Sequence, residues 1–274
     1  MIRMDLNADV GERPDALADG REEALLRQLT SANIACGGHA GDAASMDALV
    51  RLAARHGIAA GAHPGYPDRA NFGRSVMDIP PDKLRASIRE QVAALAEAAR
   101  RHGIRLAHVK PHGALYNAAA ADPDLAGLIA AAVADAAPGA TLVGLAGSLM
   151  LDAWRAAGFA VAAEAFADRR YEPDGTLRSR RCADALLTDP TEAAAQALSI
   201  ARDGRLRAWN GVIVPVRADT LCVHSDTPGA LDTVRAIRRS FLTAGIVLSR
   251  LPEPGAGSVE FPPAGRESDT MMGD

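Results

Sequence analysis

Cysteine is scarce in this chain of 274 residues: Cys36, Cys182 and Cys222 are its three, far apart and without a CxxC pair. Neither a disulfide framework nor a thiolate zinc site is expected from them. No window approaches 18 consecutive apolar residues, so no membrane-spanning helix is expected. The opening MIRMDLNADVGERPD carries acidic residues where a signal peptide would be apolar, and a cytoplasmic location is expected. No run of Lys or Arg occurs, and a formal net charge of -4 leaves no electrostatic footprint for nucleic acid or an anionic membrane surface. A GxxxxGK[ST] loop and a GxGxxG after the first strand are both missing, as is any repeat of fixed period, so a nucleotide would have to bind without the usual fingerprints. Small-molecule chemistry is the class that remains, on a chain long enough to bury a large core without staples.

What is present is an alternation of apolar or β-branched segments with segments of helical period. Strands are expected at IRMDLN, ANIAC, GIAAGA, RLAHV, TLVGL, FAVAA and TLCVH, and helices at about 21–30, 42–55, 81–103, 122–136, 147–157, 190–203 and 227–244. In the longest helix Leu84, Ile88, Val92 and Leu95 form the inward stripe, Pro81 suits the first turn and Gly103 the position past the end. Met46, Leu49, Val50 and Ala53, and later Leu231, Val234, Ile237 and Phe241, make similar stripes. Seven or so βα units predict one α/β domain over 1–250, best closed as a seven-stranded (β/α) barrel. EAFADRRYEPDGTLRSRRCADA, 164–185, is too polar for a core element and reads as a shaped lid. The Pro- and Gly-rich 251–274 reads as a disordered tail.

Active sites of parallel barrels lie at the C-terminal ends of the strands. Five expected strands deliver ionisable groups there: Asp5, Asn7, Asp9 and Glu12; Cys36, His39 and Asp42; His63; Lys110, His112, Tyr116 and Asn117; and His224 and Asp226. HVKPHGALYN would then be one wall of a shared site. Lys110 could be desolvated with a lowered pKa, or stay charged and hold an anionic group. His112 and Tyr116 suit acid, base or oxyanion-donor roles. Asp9, His39 and His63 are a reasonable divalent-metal trio, and Asp9 could instead be a general base with the histidines bonding substrate directly. Arg69, Arg74 and Arg169 are candidate carboxylate or phosphate receptors, and Cys36 reads as a small buried residue.

The runs DLNADVGE, SANIACGGHAGD, GAHPGYPDRANFGR, HVKPHGALYN, EAFADRRYEPDGTLRSR and CVHSDTPGA occur in this order and together resemble the LamB/YcsF family over about residues 2–250. The resemblance implies a barrel related to polysaccharide deacetylases. It also implies a part in ATP-dependent 5-oxoprolinase, in which 5-oxoproline, ATP and water give L-glutamate, ADP and phosphate, with the B and C subunits of that enzyme as partners. Carried over by motif, the family's polar positions fall on Asp5, Asn7, Glu12, Asn33, Cys36, His39, Asp42, His63 and Arg74. They continue on Lys110, His112, Tyr116, Asp168, Arg169, Tyr171, Asp174, His224 and Asp226. On this basis Asp9, His39, Lys110 and His112 are expected to be catalytic, and Asn7, Glu12, Asn33, His63, Arg74, Tyr116, Asp168, Arg169 and His224 to bind substrate. Gly38 stands where relatives usually carry Phe and is expected to enlarge the pocket; Ser225 replaces a usual Gly and is expected to restrict a turn; GERPDAL lacks the glycine and aromatics that often follow GE. ATP would be a cosubstrate and a divalent metal is an open expectation, as is a homo-oligomer. The rival readings are a stand-alone metal-dependent deacetylase or amidohydrolase, and a non-catalytic scaffold.

Overall fold

The segment RMDLNADV alternates two chemistries, with Met4, Leu6, Ala8 and Val10 on one side and Asp5, Asn7 and Asp9 on the other. In the computed structural model, which describes residues 1–251, it forms strand β1, Arg3–Val10, and every residue after the first is buried. A strand buries both faces only when both are covered. Here the apolar side joins the main core and the polar side faces its counterparts across a closed barrel.

Strands β2 Ser31–Ala35, β3 Ala59–His63, β4 His108–Val109, β5 Thr141–Leu145 and β6 Val161–Phe166 follow β1 in parallel order. β7 Arg205–Arg207 and β8 Ile213–Pro215 form a separate antiparallel hairpin, and β9 Thr220–Cys222 pairs with both β6 and β1. That double pairing closes seven parallel strands into a barrel, and β10 Val247–Leu248 extends the sheet beside the start of β1. The helices are α1 Pro14–Ala18, α2 Arg21–Leu26, α3 Ala43–His56, α4 Pro81–Arg101, α5 Gly113–Ala121, α6 Pro123–Ala136, α7 Leu149–Ala156, α8 Pro190–Asp203 and α9 Ala230–Thr243.

The stripes expected on α3 and α4 are buried, and α9 buries Val234, Ile237 and Phe241 but leaves Leu231 half-buried at its first turn. Asp42 caps α3 with a reciprocal Asp42–Ser45 box, so its carboxylate serves the helix end. Three expectations need correction, and two short features go unread. RLAHV supplies only two strand residues. The segment from 164 begins inside the core, because Glu164, Ala165 and Phe166 complete β6. HGALYN is the start of α5, which places Tyr116 and Asn117 on a helix. Finally α1 and the β7–β8 hairpin, both short, carry too little period to be read from sequence. Among the described residues no helix is long and apolar enough to cross a membrane. All but the first residue of the expected tail lies outside the described residues.

Candidate active site

The inside of this barrel is polar where barrel interiors are ordinarily filled by branched apolar side chains. At its base Asp5 accepts hydrogen bonds from Thr30, Ser31 and Thr220. Above it Asn7 donates to Glu164 and Thr220, while Asn33 donates to both Asn7 and Asp9. His108 Nε2 meets Asn33 Oδ1 at 2.7 Å; burial pushes this imidazole down to about 3, so it is neutral. Its ring occupies the space a Cβ on Gly61 would fill, which accounts for the glycine in GIAAGA. Asn7 and Asn33 therefore lie beneath the site and hold its carboxylates.

Over this layer opens a cavity of about 980 Å³, lined among others by Asp9, Glu12, His63, Lys110, His112 and Tyr116, with Phe166, Arg169 and His224 on another wall. Lys110 is buried with its ammonium 2.9 Å from Asp9 Oδ1, 2.9 Å from Glu164 Oε1 and 3.2 Å from Cys222 Sγ. Burial alone would lower its pKa, but Asp9, Cys222 and Glu164 outweigh that and raise it well above the ordinary value. Of the two states open to it, Lys110 takes the charged one. Asp9 answers in kind: burial favours its acid form, yet His63 and Lys110 hold its carboxyl well below the usual range.

Beside this ion pair Glu12, His39, His63 and His112 converge, with one ligand atom of each within 4.8 Å of the others. Glu12 Oε1 lies 3.0 Å from His39 Nε2, 3.1 Å from His112 Nδ1 and 3.8 Å from His63 Nε2, and the last two nitrogens are 3.0 Å apart. The far nitrogens of two rings face backbone carbonyls: His63 Nδ1 meets Lys110 O at 2.8 Å and His112 Nε2 meets Phe72 O at 2.9 Å. Donation to those carbonyls turns a lone pair from each ring toward the centre, the orientation that metal-binding histidines ordinarily show. His39 stacks flat on His112 at 3.5 Å. Burial pushes His39 down to about 4 and also lowers His112. Burial would lower His63 as well, but Asp9 reverses the direction and raises it. Facing lone pairs this close need a proton or a cation among them. Ligands about 2.0–2.1 Å from a tetrahedral zinc sit about 3.3–3.4 Å from one another, so these four residues fit a divalent ion. The structure groups His39 and His63 with Glu12 and His112, and Asp9 of the expected trio borders the group, with Oδ2 3.4 Å from His63 Nε2 and Oδ1 on Lys110.

The backbone around the cluster is shaped for close approach. Phe72 has φ 57, unusual for a residue with a side chain, and its carbonyl receives His112. Gly73 follows at φ 61, where a Cβ would lie 2.8 Å from His39 Cβ. Arg69 donates to the carbonyl of Gly41 in the His39 loop, so it braces that loop. Arg74 pairs with Asp226 at 2.6 Å on the cavity rim. Asp168 is fully buried and takes both the ring and the backbone N–H of His224, whose ring stacks on Phe166. Tyr116 donates its hydroxyl to Glu164. Cys36 is buried and pushed up to about 12, an inert thiol.

Two residues escape sequence reasoning. Glu164 falls in a stretch that reads as loop, although its place as the fourth residue of an apolar run could have marked it as strand. Gln91, on the buried face of α4, carries no signal at all. Its amide accepts from Gly65 N–H at 3.0 Å and donates to Gly65 O at 2.9 Å, and a Cβ on Gly65 would lie 2.9 Å from His39 Nδ1 and 3.3 Å from His112 Cβ. The same amide fills the space beside Gly38: a Cβ there would lie 2.3 Å from Gln91 Oε1 and 2.8 Å from Gly65 O. Gly38 thus makes room for Gln91, and does not enlarge the cavity. Ser225 has an ordinary negative φ, so it restricts no turn.

The chain aligns with a Chloroflexus aggregans protein named as the A subunit of 5-oxoprolinase, at 51% identity over 248 residues, 90% of this chain and 98% of the relative. Among solved structures it matches a lactam utilization protein from Thermus thermophilus at 42% identity with a TM-score of 0.85, covering 91% of this chain and 100% of that one. A family 4 carbohydrate esterase from Streptomyces lividans aligns far more distantly, at 13% identity and a TM-score of 0.49 over 93% of this chain and 95% of that one. The model of the LamB/YcsF family matches residues 4–255, and with that span, that identity and this barrel the chain belongs to the LamB/YcsF family.

Proposed function

We propose that this chain is the A subunit of an ATP-dependent 5-oxoprolinase, working in the cytoplasm with the B and C subunits, with residues 1–250 as its catalytic barrel. The observation that carries this reading is the 51% identity, over nearly the whole of both chains, to a protein of that name. The charged cavity at the strand ends supports a hydrolytic step in this barrel.

ATP has a physical reason to be needed. A five-membered lactam has little strain, and its opened amine and carboxyl stay tethered at effective molarities of about 10⁵–10⁸ M when well oriented, so the ring recloses. Transfer of the γ-phosphoryl to the lactam oxygen makes the ring carbon a better electrophile and releases ADP. Water then adds to that carbon, the C–N bond breaks with a proton delivered to nitrogen, and a second water hydrolyses the resulting acyl phosphate to glutamate and phosphate. Neither nucleotide fingerprint occurs in this chain, which favours phosphoryl transfer on a partner.

Within the cavity Asp9 is the better candidate base, since it lines the cavity and His39 does not. Its Oδ1 receives Lys110 and Asn33 and its Oδ2 lies 3.4 Å from His63 Nε2, so Oδ2 is the oxygen with fewer partners and would take the proton. A carboxylate held this acidic is a weak base, and that suffices only for an activated electrophile. The Lys110 ammonium would hold the developing oxyanion, whereas His112, expected from sequence to share that role, has its N–H turned to Phe72 O and its lone pair to the cluster. Glu12, His39, His63 and His112 would hold a divalent ion, which when bound polarises an oxygen or lowers the pKa of water. Arg74, Tyr116, Arg169 and His224 would contact the substrate, while Asn7, Asn33 and Asp168 would position Asp9, Glu164 and His224. The four-residue cluster also favours a second reading, a stand-alone metal-dependent amidohydrolase.

The deciding experiment is glutamate release from 5-oxoproline, with and without ATP and a chelator, by this chain alone and mixed with candidate B and C subunits. ATP-dependent release only in the mixture is expected. Release by the chain alone without ATP, abolished by chelator, would establish the second reading. Silence in every mixture with active partners would sink the first.

A further inference from the structure

Most cations around the cavity are already answered by carboxylates. Lys110 has Asp9 and Glu164; Arg178 has Glu172 and Asp184; Arg74 and Arg180 share Asp226. Arg169 is different. It follows the end of β6, held there by a backbone bridge to Leu186, and lines the cavity while only 6% exposed. Among the described residues its guanidinium makes no ion pair, and its single hydrogen bond runs from Nη2 to the carbonyl of Arg178 at 2.7 Å. Nε is buried with no partner. The adjacent Asp168 is committed to His224 and Thr227, and Asp226 is committed to the two rim arginines.

A guanidinium keeps its charge at any physiological pH, so this is a buried cation facing a cavity without its anion. Buried donors are rarely left unpaired unless something else meets them. We infer that Arg169 is the receptor for a carboxylate carried by the substrate, separate from the Lys110 and histidine groups that address the reacting amide. This rests on the lactam reading above in one respect: 5-oxoproline bears one carboxylate on the ring carbon next to nitrogen, and no other cation lining this cavity is both deeply buried and unanswered. The planar fork of arginine suits a planar carboxylate, whose two oxygens can reach two N–H groups at once. An arginine here would reject the same ring without its carboxylate, because the guanidinium would again be left unpaired.

The test is equilibrium binding to the full chain of 5-oxoproline, of 2-pyrrolidinone (the same lactam without the carboxylate), of acetate and of inorganic phosphate. It compares the wild type with Arg169→Gln and Arg169→Lys, each first checked for a cooperative thermal transition. Arg169→Gln is expected to weaken 5-oxoproline about tenfold or more without weakening 2-pyrrolidinone. Arg169→Lys, which keeps the charge and loses the fork, should fall between, and serves if the glutamine variant does not fold. Equal 5-oxoproline affinity in wild type and both variants would overturn the assignment. So would loss of phosphate binding with 5-oxoproline unaffected, since the site would then serve a phosphoryl group. A wild type that binds neither lactam but binds acetate in an Arg169-dependent way would remove the lactam reading and leave the carboxylate site standing.

Discussion

Lys110 bridges two buried carboxylates, Asp9 and Glu164, and its removal leaves Glu164 without a cation and Asp9 with His63 alone. Lys110→Met should therefore destabilise the fold by about 3–5 kcal/mol in chemical denaturation, and abolish turnover by the assembled enzyme. Normal turnover in a folded Lys110→Met protein would remove the lysine from the chemistry. Glu22 makes a different prediction. Burial pushes it up to about 7; one oxygen accepts from Gly11 N–H and the other has no partner. An acid with a raised folded pKa contributes stability that is fully present below its unfolded value, near 4.5, and is lost as pH rises through about 7. The loss should reach about 3 kcal/mol. Glu22→Gln should flatten that part of the stability profile between pH 4.5 and about 8, and two parallel profiles would show that Glu22 does not titrate there.

At the scale of elements, the cluster depends on a loop fastened by a helix. Gln91 reaches out of α4 to hold both polar groups of Gly65, where a side chain would run into His39 and His112. Gln91→Leu leaves a buried N–H and C=O unpaired, at a cost of about 2 kcal/mol. It should also weaken binding of added zinc, measured by competition with a chromophoric chelator. Unchanged zinc affinity in the destabilised variant would confine Gln91 to stability. How the helices read from sequence follows the same logic of periodicity. α3 and α4 carry long stripes and are legible to within about two residues at their ends. α5 is not, because GALYNAAAA has no polar face to contrast with its apolar one.

For the whole molecule, chemistry and stability occupy different places. Trp154 on α7 is fully buried, donates to Ala126 O and packs where Gly144 of β5 has no side chain. Trp154→Ala should cost about 3–5 kcal/mol in unfolding free energy yet leave zinc affinity of the folded protein unchanged. A parallel loss of both would mean that the barrel wall and the cluster are coupled.

The alternation of apolar and polar residues in β1, the βα rhythm and the motif runs are enough to predict a seven-stranded barrel and its family, because periodicity and short-range motifs are local properties. The same local evidence places Asp9, His63, Lys110 and His112 at one end of the barrel. It cannot say which of them meet. Strand register decides that Asn33 stands opposite Asp9 with Asn7 earlier on the same strand, that Glu164 reaches Lys110, and that Glu12 joins the three histidines beside Asp9. Pairings such as Asn7 with Glu164 join residues 157 positions apart across a closed sheet, and only closure of the barrel brings them within hydrogen-bonding distance.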